Sequence, residues 1–140
     1  MKTIKLFAIA AACIALFASC NKAGTDNSAN VSAIQKQLVG TWEGQIRNTA
    51  TLNGKEIEMS VTPVVLTFTN TQMTRKDGDL AAVTYDYVIK NGGSKGYYFV
   101  SSFKGEEVGS IWFEISGNTM NLTAGDGTFF MTFPKTFTKK

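Results

Sequence analysis

From Leu38 onward, apolar and polar residues alternate with a period of two, the spacing of strands that bury one face. Val64, Leu66 and Phe68 share a face with Thr67 and Thr69 opposite, and Val83, Tyr85, Tyr87 and Ile89 alternate with Thr84 and Asp86. The same rhythm predicts strands over Thr41–Arg47, Val61–Thr69, Gln72–Arg75, Val83–Lys90, Tyr97–Phe103, Val108–Ser116, Thr119–Thr123 and Thr128–Phe133. Between them stand Asp77-Gly78, Asn91-Gly92-Gly93, Lys104-Gly105, Gly117-Asn118 and Gly125-Asp126-Gly127, residues that tolerate positive φ and close antiparallel hairpins. No linker after Leu38 has room for the crossover helix that parallel strands need, so the pattern predicts a meander. Eight twisted strands leave two raw edges unless the first pairs with the last. The all-β chain is therefore expected to close into an eight-stranded antiparallel up-and-down barrel, with an open sandwich as the alternative.

Before the strands the period is helical. Ser32-Ala33-Ile34-Gln35 fits a capping box that would start a short helix at Ala33, with Val31, Ile34 and Leu38 on one face and Gly40 as the stop. Asn21 to Asn30, NKAGTDNSAN, has no apolar period and reads as a flexible tether. Lys2 and Lys5 precede an apolar run of 12 residues, Leu6 to Phe17, too short for the roughly 20 residues of a membrane span but of signal-peptide length. The run ends in Phe17-Ala18-Ser19-Cys20, which resembles the lipobox of bacterial lipoproteins. The resemblance implies cleavage before Cys20 and lipidation of that cysteine with diacylglycerol and an acyl chain such as palmitate. Asn21, where an Asp would favour inner-membrane retention, implies an outer-membrane destination in the cell envelope. Residues 1–19 then form the leader, 20–30 the lipidated tether and 31–140 the folded domain.

Leu38-Val39-Gly40-Thr41-Trp42 resembles the L-x-G-x-W opening of lipocalin-like domains, where a short helix leads into the first strand of the barrel. The resemblance covers about Ser32 to Phe137. It implies that Gly40 and Trp42 are structural, the Trp plugging the closed end. Typical lipocalins stack a C-terminal Arg on that Trp, whereas this chain offers Lys135, Lys139 and Lys140; Thr84-Tyr85-Asp86-Tyr87 also departs from the family's Thr-Asp-x-x-Tyr.

Composition then narrows the chemistry. The 140 residues contain no histidine, which excludes Ser-His-Asp triads, HExxH zinc helices and imidazole switches. Both cysteines, Cys13 and Cys20, lie in the first twenty residues, so the domain holds no disulfide. Without residues 1–19, twelve Lys and Arg face eleven Asp and Glu, and no nucleic-acid footprint survives. Glu43, Asp86 and Glu114 fall on outward positions, Glu106-Glu107 in a turn, and the Asp-Gly and Gly92-to-Gly96 segments lack calcium-loop or phosphate-loop context. No catalytic residue, metal or cofactor is expected, and the protein is read as a non-enzyme. The inward aromatic row, Phe68, Tyr85, Tyr87, Tyr97, Phe99, Phe113 and Phe129 with Met131, is either the barrel's own core or the wall of a cavity. Buried tyrosine hydroxyls need partners, which a ligand could supply. Two functions follow: a lipid-anchored lipocalin-like binder of a small apolar or amphipathic ligand, or a protein-interaction module such as a protease inhibitor or envelope assembly factor. A binder needs roughly 300 Å³ or more behind the row; an interaction module needs a filled barrel and an exposed segment. The longest candidate segment is Asn48 to Ser60, whose Leu52, Ile57 and Met59 could be an anchor, a lid or an extra strand.

Overall fold

A computed structural model describes residues 22–126, 129 and 132–140. Its elements are α1 (Lys22–Leu38), β1 (Gly40–Leu52), β2 (Lys55–Phe68), β3 (Gln72–Asp77), β4 (Val83–Asn91), a 3-10 turn (Gly93–Lys95), β5 (Tyr97–Phe103), β6 (Glu106–Ser116), β7 (Thr119–Gly125) and β8 (Thr136–Lys139). Each strand pairs antiparallel with the next and β8 returns to β1, so the sheet is a closed up-and-down barrel. The inward positions of all eight strands supply the core: Trp42, Val64, Leu66, Phe68, Met73, Tyr87, Ile89, Phe99, Ile111, Phe113, Met120, Leu122 and Phe137 are all buried.

The helix is longer than its capping box implies. Ser32 lies inside α1, and the segment read as a tether is helical from Lys22 onward. Residues 22–30 contain no proline to stop extension of a helix already nucleated and anchored by its last turns, and nucleation is the costly step. Val31 and Ile34 pack on the core and Leu38 is fully buried, so the C-terminal half of α1 stoppers one end of the barrel.

Two strand assignments differ from the pattern. Of the expected Thr128–Phe133 strand, the described residues make a turn, with Thr132 N–H donating to Phe129 O at 3.4 Å, and the eighth strand is Thr136–Lys139. The reason is packing: Phe129 meets Phe133 edge to face at 5.0 Å and Tyr85 at 5.3 Å, whereas an extended strand would hold positions 129 and 133 about 13 Å apart, so the chain turns to bring the two rings together near the mouth. The second difference is the Asn48–Ser60 segment, left open as an anchor, a lid or an extra strand: it is strand on both sides of a hairpin turn, extending β1 and β2. Asn53 (φ 52°) and Gly54 (φ 74°) form its two-residue turn, the conformation for which Asn-Gly is the strongest short sequence signal. β1 and β2 consequently run 13 and 14 residues.

Closure at the seam is brief. β8 meets β1 only at Trp42↔Lys139, Glu43↔Thr138 and Gly44↔Phe137. Gly44 permits that approach, since a Cβ there would lie 2.9 Å from both the Phe137 ring and Thr136 O.

Candidate functional site

At the stoppered end, Trp42 is fully buried and donates its indole N–H to Leu38 O at 2.7 Å. Lys139 crosses the ring with Nζ 5.2 Å from its centroid and donates to Gln37 O, among the last carbonyls of α1, at 2.7 Å. A lysine thus occupies the stacking position that the lipocalin resemblance assigns to an arginine. It is positioned by the Trp42↔Lys139 register of β1 and β8, which sequence spacing does not disclose.

The row of candidate ligand residues divides along the barrel. Phe68, Tyr87, Phe99 and Phe113 form one interlocked cluster, with Phe68–Tyr87 at 5.4 Å, Phe68–Phe99 at 5.8 Å, Tyr87–Phe99 at 6.2 Å and Phe99–Phe113 at 5.6 Å. Their rings touch one another, and their own atoms take the space between them. Tyr97 is half-buried against the same core. Tyr85 and Phe129 sit towards the other end, joined by Phe103 at 5.7 Å from Tyr85. Met131 and Cys20 lie outside the described residues.

The tyrosine hydroxyl that most needs a partner has one. Tyr87 donates to Thr69 O at 2.6 Å, and burial raises its pKa above 10, opposed by a hydrogen bond with the Gln35 side chain. Gln35 also donates to Asn70 O, which ties α1 to the β2–β3 turn. Ser101, fully buried on β5, has a hydroxyl with no hydrogen-bond partner among the described residues.

Arg75 is set into the mouth, its side chain only 11% exposed. Its guanidinium forks onto Asp77 at 2.7 and 2.5 Å, donates to Thr132 Oγ1 at 2.8 Å and Thr132 O at 2.7 Å, and lies 4.3 Å from the Phe133 ring centroid. Four of its donor directions are thereby spent on the protein, and its charge is compensated by the fork to Asp77. Glu43, Asp86 and Glu114 are exposed, and among the described residues no group of three His, Cys, Asp or Glu is placed to hold a metal.

A cavity of about 780 Å³ opens in the barrel wall, where β8 has ended and β1 continues; Gln45, Ile46, Arg47, Val65, Phe133 and Thr136 line it. Above it the hairpin projects. Beyond Gly44, β1 pairs only with β2, and before Val64, β2 pairs only with β1, among the described residues. The free arm of β1, Gln45 to Leu52, spans roughly 27 Å at about 3.4 Å per residue. Leu52 is 61% exposed, Met59 69%, Ile57 41% and Val61 39%. Arg47 pairs with Glu58 at 3.0 Å and Asn48 donates to Ser60 Oγ at 3.0 Å, so side chains cross-link the two strands of the arm near its middle. Sequence reading identified Leu52, Ile57 and Met59 as exposed; the Asn53-Gly54 pair is the signal that would have made their segment a hairpin.

Comparison of the chain with protein-family models, with curated proteins and with solved structures finds no match. Among the described residues no helix is long and apolar enough to cross a membrane.

Proposed function

We propose that this protein is a lipid-anchored, non-enzymatic interaction module: a lipocalin-like barrel that holds a β-hairpin arm out to a protein partner. The observation that carries the reading is the contrast between the two halves of the molecule. The inward rings of the barrel pack on one another, whereas the arm exposes four large apolar side chains on a ribbon of two strands. Such a ribbon is marginally stable alone in water, and exposed apolar residues on it gain most from a covering surface. Anchoring through Cys20 would place the module in the cell envelope, where a partner embedded in or tethered to the same membrane lies within reach of the arm.

The alternative, a small apolar ligand, draws on the 780 Å³ opening in the wall and the orphan hydroxyl of Ser101. One experiment separates the two. A photo-cross-linking amino acid is placed in cells at Met59 on the arm, or at Lys90 on the barrel wall as a control, and residues 21–140 are examined by native mass spectrometry. Adducts of discrete mass at Met59 and not at Lys90, with a clean mass for the purified domain, are expected. A stoichiometric small-molecule adduct, together with no arm-specific cross-link, would transfer the function to the barrel.

A further inference from the structure

We infer that the partner of the arm's β1 edge is the same edge of a second copy of this chain, joined in antiparallel register about a two-fold axis at Thr49. The inference rests on the reading of the arm as an interaction element and names its partner.

Among the described residues neither edge of the arm pairs with a further strand, apart from Pro63 O, which accepts from Gly78 N–H at 2.8 Å, and only one edge is defended. Along β2 the edge carries Lys55, Glu56 and Glu58, an extra residue at Met59 where the register shifts, and Pro63, all devices that discourage strand addition. Along β1, Gln45-Ile46-Arg47-Asn48-Thr49-Ala50-Thr51-Leu52 has one charge, already engaged by Glu58, and neither proline nor extra residue. Lys140 N–H donates to Thr41 O at 3.0 Å, so Thr41 directs its backbone groups towards the β8 side. The alternation of a strand then turns the N–H and C=O of Gln45, Arg47, Thr49 and Thr51 to the undefended edge, where β8 no longer meets them.

The end of β8 fixes the register. Phe137 occupies the edge at Gly44, so an added strand can begin no earlier than Gln45. Of the self-pairings that respect this limit, the one that brings the edge's two large apolar residues, Ile46 and Leu52, together sets Thr49 opposite its own copy, Arg47 opposite Thr51 and Asn48 opposite Ala50. It also sets Ile46 opposite Leu52. No like charges meet, and the arm as a whole, with Arg47, Lys55, Glu56 and Glu58, is neutral. Leu52 lands on half-buried Ile46 at the rim of the 780 Å³ opening, so each arm's tip covers the gap at the root of the other. Two marginal ribbons become one four-stranded sheet, above the three strands that independent stability needs.

The test uses residues 21–140, which contain α1 and all eight strands, and which carry no cysteine. Sedimentation should show a monomer–dimer equilibrium. Thr49→Lys and Thr49→Glu, each placing like charges opposite each other at the axis, should weaken the dimer by about tenfold or more, and mixing the two variants should restore it. Oxidising a mixture of Asn48→Cys and Ala50→Cys chains should give more cross-linked dimer than either alone. A monomer up to about millimolar concentration, or a dimer indifferent to both charges at Thr49, would overturn the inference. Cross-links from the arm in cells to a different protein, with none at the mass of a homodimer, would overturn self-pairing while leaving the interaction module standing.

Discussion

Replacing Lys139 tests whether the seam of the barrel is locked as the geometry implies. Lys139 does three things at once: its ammonium lies 5.2 Å from the Trp42 ring centroid, it donates to Gln37 O at 2.7 Å, and its Cε would sit 2.8 Å from a Cβ at Gly40. The ring contact contributes about 0.5–1 kcal/mol at a partly exposed site. A charged hydrogen bond to a helix-terminal carbonyl contributes about 1.5–3 kcal/mol when buried, overlapping with the favourable field of the helix end, and less where water competes. Lys139→Met keeps the aliphatic stem over the indole and removes only the charge, so the expected loss is about 1–2 kcal/mol. Lys139→Ala also uncovers Trp42 and should lose more. Lys139→Arg restores a cation that can stack, and should stay within about 0.5 kcal/mol of the parent. Urea unfolding followed by circular dichroism and tryptophan fluorescence measures each, and an unchanged slope with urea assigns the difference to stability. A cycle pairing Lys139→Met with Trp42→Phe should show coupling of about 0.5–1 kcal/mol. If Lys139→Met is as stable as the parent to within about 0.5 kcal/mol, the lysine is a bystander and the seam is held by the three-residue ladder and Phe137 alone.

Other consequences can be checked independently. Cys20→Ala should release the protein from membranes into the soluble fraction with its far-ultraviolet dichroism unchanged; retention on membranes would remove the lipoprotein reading. Because burial raises the Tyr87 pKa, the fold favours the protonated phenol, so this group's stabilisation is complete below about pH 10 and is lost as pH rises through the higher folded value. Tyr87→Phe should cost about 1 kcal/mol at neutral pH through the lost bond to Thr69 O and flatten the alkaline fall in stability, as read from urea midpoints across pH 8 to 11. Gly92→Ala would place a Cβ in clash with the Trp112 ring at Cη2, so a loss of about 1–3 kcal/mol and a changed Trp112 fluorescence are expected. Unchanged emission would mean the loop shifts freely off the ring.

The fold was legible because its governing signal is local. Period-two alternation marks the buried part of most strands, as in Val64-Leu66-Phe68 and Tyr87-Ile89, and a strand must pair with its neighbour in sequence when only tight turns join them. Legibility failed where local pattern and tertiary demand diverge. Phe129 and Phe133 alternate like strand residues, yet the mouth needs apolar rings to close it, and the brief β8 forms instead from Thr136 to Lys139, a stretch with one apolar residue at Phe137. Lys139 illustrates the same limit: its partners Trp42 and Gln37 are about a hundred positions away, and only the barrel's register selects it over Lys135 and Lys140.

The arm shows how far a sequence discloses a surface once its backbone is known. Leu52, Ile57 and Met59 stand out in any reading, but as loop residues they could face anywhere. In a ladder, the Asn48/Thr49 register shift decides their faces: Met59 becomes the extra residue, Ile57 stands opposite Ala50, and Glu58 swings to the side where Arg47 holds it. That single inserted position also separates the two edges, because the strand that carries it, already charged at Lys55, Glu56 and Glu58, gains twist while its partner stays regular and nearly neutral. A protein selected only to remain monomeric would gain by defending both edges, and a lysine at Thr49 or Thr51 would suffice. Its absence from β1, on an arm whose other edge carries charges, an extra residue and a proline, argues that the β1 edge is kept open for a strand to join.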